Sequence, residues 1–297
     1  MAKDPFDLQH LRRRLDAIDE RVHDLLIERT EIVSLVAAHK KTNNLSFYQP
    51  GREAEIIRRL VARHRGALST TSLVRIWREL LAAAVGLEVP FAVAVYDPEG
   101  SLVFRDLARD HYGAAMPITG YGSVGQVIRA VAEMPDSAGV LPMPQDGEPE
   151  PWWPHLLSQD RQSPRIVVRL PFGPRGDTDA AGVDALVIGH GTQQNTGCDR
   201  TILAIETTTI SRSRLLAILA ALDLDCKFFA SADRGGSTLD LIELDGFVPL
   251  ADPRLERFRQ QLGAALDRLR PLGGYAVPLP TASAPAPVAA ASARGAA

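Results

Sequence analysis

Four basic residues in the first 52 positions sit where helical apolar seams should be. Read at alternating spacings of three and four, Val22, Leu25, residue 29, Ile32 and Val36 share one stripe, and residue 29 is arginine. A cation on a core seam is costly unless an anion meets it, either an acidic side chain of another helix or a ligand. Lys40 follows about three turns further along roughly the same face. Arg12 lies near the other end of the segment, and Arg52 stands beside the apolar face of the next one. Four cations converging on inward-facing seams are what a small ligand with two negative groups needs.

The elements that must hold these cations are helical. The first 88 residues contain only two of the 21 prolines (Pro5, Pro50) and three of the 23 glycines, so helix breakers are scarce there and common after Pro90. A first helix is expected from Phe6 to Lys41, carrying Leu8, Leu11, Leu15, Ile18, Val22, Leu25, Ile32 and Val36. At ~1.5 Å per residue it is a rod of about 50 Å. A domain of ~90 residues should be nearer 25 Å across. The rod therefore overhangs a single copy, and a second copy covering its stripe is the natural remedy. Pro50 suits the first turn of a second helix behind Gln49, with Ile56, Ile57, Leu60 and Val61 as its apolar face. Ser69 or Thr70 caps a third, whose stripe is Leu73, Trp77, Leu80, Leu81, Ala84 and Leu87.

These residues resemble a family. Leu11-Arg12 with Leu15, Ile18 and Asp19, then Leu25-Leu26 with Arg29, then Lys40, then Arg52-Glu53, is similar to the all-helical chorismate mutase domain over residues 8–88. The resemblance implies three helices per subunit in an intertwined homodimer built through the N-terminal helices. It implies isomerisation of chorismate to prephenate, a step of aromatic amino acid (phenylalanine/tyrosine) biosynthesis, without any cofactor or metal. It also implies roles. Arg12 from the partner subunit and Arg29 grip carboxylates, Lys40 donates to the ether oxygen, Arg52 steadies the site and Glu53 accepts from the substrate hydroxyl. Three further substrate-contacting positions depart from the commonest pattern. Gln49 replaces an aspartate, Ala84 replaces a small hydroxyl residue, and Glu88 replaces a glutamine that is the second ether-oxygen donor. Only a protonated Glu88 could donate in that role.

Beyond residue 88 the chain resembles a shortened prephenate dehydratase followed by an ACT domain. FAVAVY at 91–96 reads as a buried strand, Pro98-Glu99-Gly100-Ser101 as the first dehydratase turn, and Val140-Leu141-Pro142 as the strand before the active-site loop. That loop opens Met143-Pro144-Gln145, and the place of the Thr-Arg-Phe signature reads Val183-Asp184-Ala185. The distances imply that one lobe is missing and that dehydratase chemistry is lost. Gly120 to Gly125 spells G-x-G-x-x-G, but no convincing acidic partner follows, so the segment reads as a strand-to-helix turn rather than a nucleotide site. Residues 200–279 follow a βαββαβ pattern, with Ser213-Arg214-Leu215 and Ala230-Ser231-Ala232-Asp233 at the places that hold an amino acid in phenylalanine-sensing relatives. A structural or dimerising role is expected there rather than an amino-acid effector site.

The expected architecture is thus multi-domain. An all-α chorismate mutase domain spans 1–88, a truncated α/β dehydratase-like lobe 90–195 and an α+β ACT-like domain 200–279. An Ala/Pro/Ser tail at 281–297 buries too little to order itself. A net charge of −3 argues against a general nucleic-acid or membrane-surface binder. Two cysteines supply neither a disulfide framework nor a zinc site. No apolar run approaches membrane-spanning length and no signal peptide opens the chain, which points to the cytoplasm. Two rivals remain: a non-catalytic regulatory partner of a shikimate-pathway enzyme, and an intact bifunctional mutase–dehydratase.

Overall fold

The computed structural model describes residues 7–98, 101–158, 163–175 and 182–280. The expected helix start at Phe6, the turn residues Glu99 and Gly100, and the tail at 281–297 lie outside the described residues.

Three helices come first. Helix α1 (Leu8–Thr42) opens on Asp7, whose carboxylate accepts from the Gln9 amide at 3.2 Å. It closes on His39, Lys40 and Lys41, and the two lysine cations sit at the negative end of the helix dipole. Helix α2 (Pro50–Arg63) begins with proline behind Gln49, and α3 (Thr70–Glu88) is capped by Ser69, which accepts from the Ser72 amide. Both starts fall where the sequence places them.

The stripe of α1 needs correction. No residue of α1 is buried. The half-buried positions of its second half are Leu26, Arg29, Val33, Ala37 and Lys40, a 3-4 seam turned toward α3. The expected stripe lies beside that seam and is uncovered, with Leu25 61%, Ile32 54% and Val36 42% exposed. Leu87, expected on the apolar face of α3, is likewise exposed. One face of α1 serves its own chain. The broader apolar face is left for another surface, because a single helix can pack only one side against α3.

The rest is one mixed sheet of nine strands in the order β2-β1-β3-β5-β4-β9-β6-β8-β7. Strand β1 (Ala92–Tyr96) is parallel to β2 (Ile118–Tyr121) and β3 (Ser137–Pro142), joined through α4 (Val103–Tyr112) and α5 (Val124–Glu133). Strands β4 (Arg165–Leu170) and β5 (Ala185–Gly189) add antiparallel pairs. The run from β6 (Asp199–Thr207) through α6 (Arg212–Ala221), β7 (Cys226–Asp233), β8 (Thr238–Asp245) and α7 (Pro253–Leu262) to β9 (Leu266–Ala276) has the expected β-α-β-β-α-β order. The two halves do not separate at residue 200. They join where β4 runs parallel to β9, in register at Ile166 and Gly273.

The G-x-G-x-x-G segment is the turn from β2 into α5. Ser123 and Gln126 close a reciprocal capping box over the first amides of α5. The Asp97–Arg105 ion pair, 2.8 Å long, packs where Gly120 would carry a side chain. The turn is occupied by its own packing.

The helices dock on this sheet through α2 and α3. Arg58 of α2 donates to Thr196 Oγ1 at 2.8 Å and to the carbonyls of Cys198 and Val277 at 2.7 Å each. Ala54, Ile57, Val74 and Leu81 pack with Phe172 and Ala276. Phe172 lies under two guanidinium groups, those of Arg58 at 6.0 Å and Arg78 at 4.8 Å from its ring centre.

The joint between the half-sheets gives a test. Gly273 has φ +127, and a Cβ there would press on the Ile166 backbone. Gly273→Ala should lose about 2–4 kcal/mol or more of stability in urea denaturation. An unchanged midpoint would show that this contact is dispensable.

Candidate functional site

Two buried ion pairs face each other between α1, α2 and α3. Lys40 Nζ of α1 donates to Glu88 Oε2 of α3 at 2.6 Å and to the Phe47 carbonyl at 3.0 Å. These side chains are only 12% and 7% exposed. Arg78 of α3 donates to Glu53 Oε2 of α2 at 3.0 Å, with side chains 4% and 13% exposed. Arg29, three seam positions before Lys40, reaches the Leu80 carbonyl at 3.4 Å.

Electrostatics tie the pairs into one cluster. Burial raises the Glu53 carboxyl above its ordinary range; Arg78 and Lys40 oppose this, and Glu88 adds to it. Burial also lowers the Arg78 guanidinium, which Glu53 counters. Behind Arg78 stands His111 of α4, with Nε2 3.5 Å from the guanidinium. Burial first, and then Arg78, push its imidazole well below the usual histidine range. Tyr48 and Tyr112 share a hydroxyl–hydroxyl bond of 2.9 Å, and burial raises both phenols.

The remaining expected residues lie elsewhere. Arg12 is exposed on the free end of α1. Arg52 points outward and pairs with Glu55 one turn on at 3.0 Å, the two side chains 55% and 42% exposed. Gln49 stands at the start of α2, its side chain donating to the Ser46 carbonyl at 3.2 Å. Ala84 is half-buried one turn before Glu88. The structure thus gathers Lys40, Glu53 and Glu88, sets Arg29 on the same seam of α1 against the Leu80 carbonyl, and leaves Arg12 and Arg52 outside.

Arg78, His111, Tyr48 and Tyr112 were not expected at the site. Arg78 carried a readable signal. Val74, Arg78, Leu81 and Val85 form a buried 3-4 seam of α3, so Arg78 breaks its seam as Arg29 breaks one in α1. His111 and the tyrosines carry none, because their partners lie 33 and 64 residues away in sequence.

The later segments hold their own polar pairs. Asp184, at the place of the dehydratase signature, is bound by Arg169 at 2.5 Å. Arg169 also donates to the Tyr275 hydroxyl, which donates to Glu243 Oε2 at 2.6 Å. The Ser231 amide, within the expected effector segment, donates to Asp146 Oδ1 at 3.1 Å, and Asp146 also pairs with Arg212.

Comparison with known proteins agrees with the helical region. Residues 11–89 match the family Chorismate mutase type II. A "Bifunctional chorismate mutase/prephenate dehydratase" of Pseudomonas aeruginosa is 32% identical over 151 residues, 49% of this chain and 41% of that one. The protein of the same description from Stutzerimonas stutzeri is 31% identical over 146 residues, 48% of this chain and 40% of that one. The matched segments thus span well under half of these curated relatives. A prephenate dehydratase structure from Streptococcus mutans aligns with TM-score 0.45 and 15% identity, covering 63% of this chain and 98% of that one.

His111 supplies a pH test. Its folded value is depressed, so between that value and the unfolded ~6.5 the unfolded chain holds the extra proton. Stability is complete above about pH 6.5 and falls as pH drops from there, by up to about 1.4 kcal/mol per unit. Glu53, raised instead, acts in the opposite sense as pH falls toward the ordinary carboxyl range. His111→Gln should therefore lose less stability than wild type between pH 7.5 and 5.5 in urea titrations. Parallel slopes would mean that His111 does not titrate on unfolding.

Proposed function

We propose that this chain is a chorismate mutase acting as a homodimer, rearranging chorismate to prephenate. The observation that carries the reading is the cluster of Lys40 with Glu88 and Glu53 with Arg78 between the three helices, with Arg29 on the same seam of α1, inside the region that matches the mutase family. The reaction is a one-step pericyclic rearrangement. An ether C–O bond breaks, negative charge grows on its oxygen, and no proton transfer is needed. Catalysis then consists of holding the substrate and placing positive charge where negative charge develops.

Lys40 is the donor to the ether oxygen, leaving Glu88 as that oxygen takes over. Arg29 grips one carboxylate, and Glu53 accepts from the substrate hydroxyl. Arg12 of a second copy grips the other carboxylate, and Arg52 turns in only when substrate is present. A second copy also explains the uncovered stripe of α1. Leu8, Leu15, Ile18, Val22, Leu25 and Ile32 are 49–61% exposed along one rod, a contiguous apolar face of the kind that marks an interface.

The bifunctional names of the curated relatives favour a second reading, in which the later modules also dehydrate prephenate. The β-α-β-β-α-β module after residue 198 then serves as an ACT-like unit.

Turnover of chorismate by the purified chain, with prephenate identified as product, tests the first reading. Phenylpyruvate formed from added prephenate tests the second. Mixing separately inactive Arg12→Ala and Lys40→Ala chains under exchange conditions should restore activity, up to about a quarter of wild type for random pairing. Each mixed dimer has one site with both residues intact. No recovery would show that Arg12 acts within its own chain or not at all.

Glu88 is testable by itself. As an ionised carboxylate it has no proton to give the ether oxygen, whereas glutamine donates N–H at every pH. Glu88→Gln should turn over chorismate at neutral pH at least as fast as wild type. A drop in rate would show that the Lys40–Glu88 pair itself is needed to aim the ammonium group.

A further inference from the structure

The Glu53 carboxylate has an unusual support. Its partner Arg78 belongs to the helical region, but the ring and the imidazole that meet Arg78 belong to the sheet and its helices. The guanidinium lies over the Phe172 ring, just past β4, at 4.8 Å. It meets His111 of α4 at 3.5 Å. Phe172 is 4% exposed and its carbonyl accepts from the Leu279 amide at 2.7 Å, beyond β9. Arg78 itself is 3% exposed, so water cannot substitute for any of these contacts.

We propose that Arg78 is a positioning residue for the chorismate site, aiming the Glu53 carboxylate, and that Phe172 and His111 fix Arg78, so that the α/β part completes a site made otherwise of helices. The inference rests on the proposed mutase reading and on Glu53 as the acceptor from the substrate hydroxyl. A carboxylate can rotate about its side-chain torsions. One held by a buried guanidinium that is itself stacked on a ring has a single orientation available. Arg78 touches no reacting atom; it acts through Glu53 alone.

Glu53 is faced by Arg78 and Glu88 of α3, by Lys40 of α1, by Tyr48 ahead of α2 and by Tyr112 of α4. Of the two cations, Arg78 has the larger effect and lowers the carboxyl toward its ionised form. Removing Arg78 leaves burial and Glu88 unopposed except by Lys40. Glu53 then ionises only at higher pH, and the acid limb of activity moves upward.

The experiment uses the 297-residue chain with chorismate as substrate. Arg78→Met should lower kcat/KM by about tenfold or more and move the acid limb up by about one pH unit. In the Glu53→Gln background, Arg78→Met should cost nothing further, because the residue through which it acts is already neutral. The double variant also removes both buried charges together and so folds even where Arg78→Met alone does not. Arg78→Lys keeps a charge but cannot both fork to Glu53 and stack on Phe172, so it should recover only part of the loss. Phe172→Leu should reduce kcat/KM severalfold, and should add nothing in the double variant.

An additive loss in the Glu53→Gln background would overturn the proposal, as would a folded Arg78→Met chain with wild-type kcat/KM and an unmoved acid limb. Wild-type turnover with a silent Arg78→Met sinks this inference alone. A wild-type chain that never converts chorismate sinks the mutase reading with it.

Discussion

One buried cation organises the meeting of the two parts of this molecule. Arg78 is 3% exposed, and an ion withdrawn from water must be met by a counter-charge and by well-placed neighbours. Glu53 supplies the charge from α2, Phe172 supplies a ring face from the end of β4, and His111 supplies a neutral edge from α4. His111 must stay neutral there, since a second cation 3.5 Å from the first would be repelled at low dielectric. Four elements far apart in sequence are thereby fixed to one point. Arg58 repeats the device at the same Phe172 ring, with three hydrogen bonds to the sheet side. The helices are bound to the sheet by cations set around an aromatic ring, with a smaller apolar cluster filling in.

The local features were legible. Capping by Ser69, proline at the start of α2, and the alternation of strand and helix after residue 90 are short-range signals, and the elements stand where those signals put them. Arg29 was legible as a cation on a seam, but the seam was placed one residue off. Leu25, Ile32 and Val36 are as apolar as Leu26, Val33 and Ala37, and periodicity alone cannot say which of two adjacent faces a helix turns inward. Arg78 follows the same rule, and Trp77 and Leu80 offer an equally apolar stripe on the adjacent face of α3. The junction of β4 with β9 pairs residues more than 100 positions apart at a single register. No local pattern encodes that pairing, so the sheet reads in sequence as two modules and in space as one.

The two faces of α1 divide its labour. The seam of Leu26, Arg29, Val33, Ala37 and Lys40 brings two cations against α3, while the neighbouring stripe remains apolar and open. A helix of 35 residues is longer than its own three-helix unit can cover, and its free end carries Arg12 well beyond the reach of the cluster. The position of Arg12 and the exposure of the stripe are one geometric fact. Both follow from the excess length of α1, and a second rod crossing the first would answer both.

The pairing inside the cluster bears on how such a site stays ready. A rearrangement driven by fixed charges needs those charges already oriented, since reorienting them during the reaction costs what their placement gains. Lys40 without a partner would be a mostly buried ammonium free to turn toward any carbonyl. Glu88 holds it at 2.6 Å, and the Phe47 carbonyl adds a second fixed acceptor. The arriving ligand then exchanges one anion for another at a preset ammonium. The gain in orientation comes with a competitor, because Glu88 must be displaced or neutralised before another anion can take its place on Lys40. Glutamine in this place would compete less and orient less. Glutamate shifts the balance toward an ammonium held in one orientation.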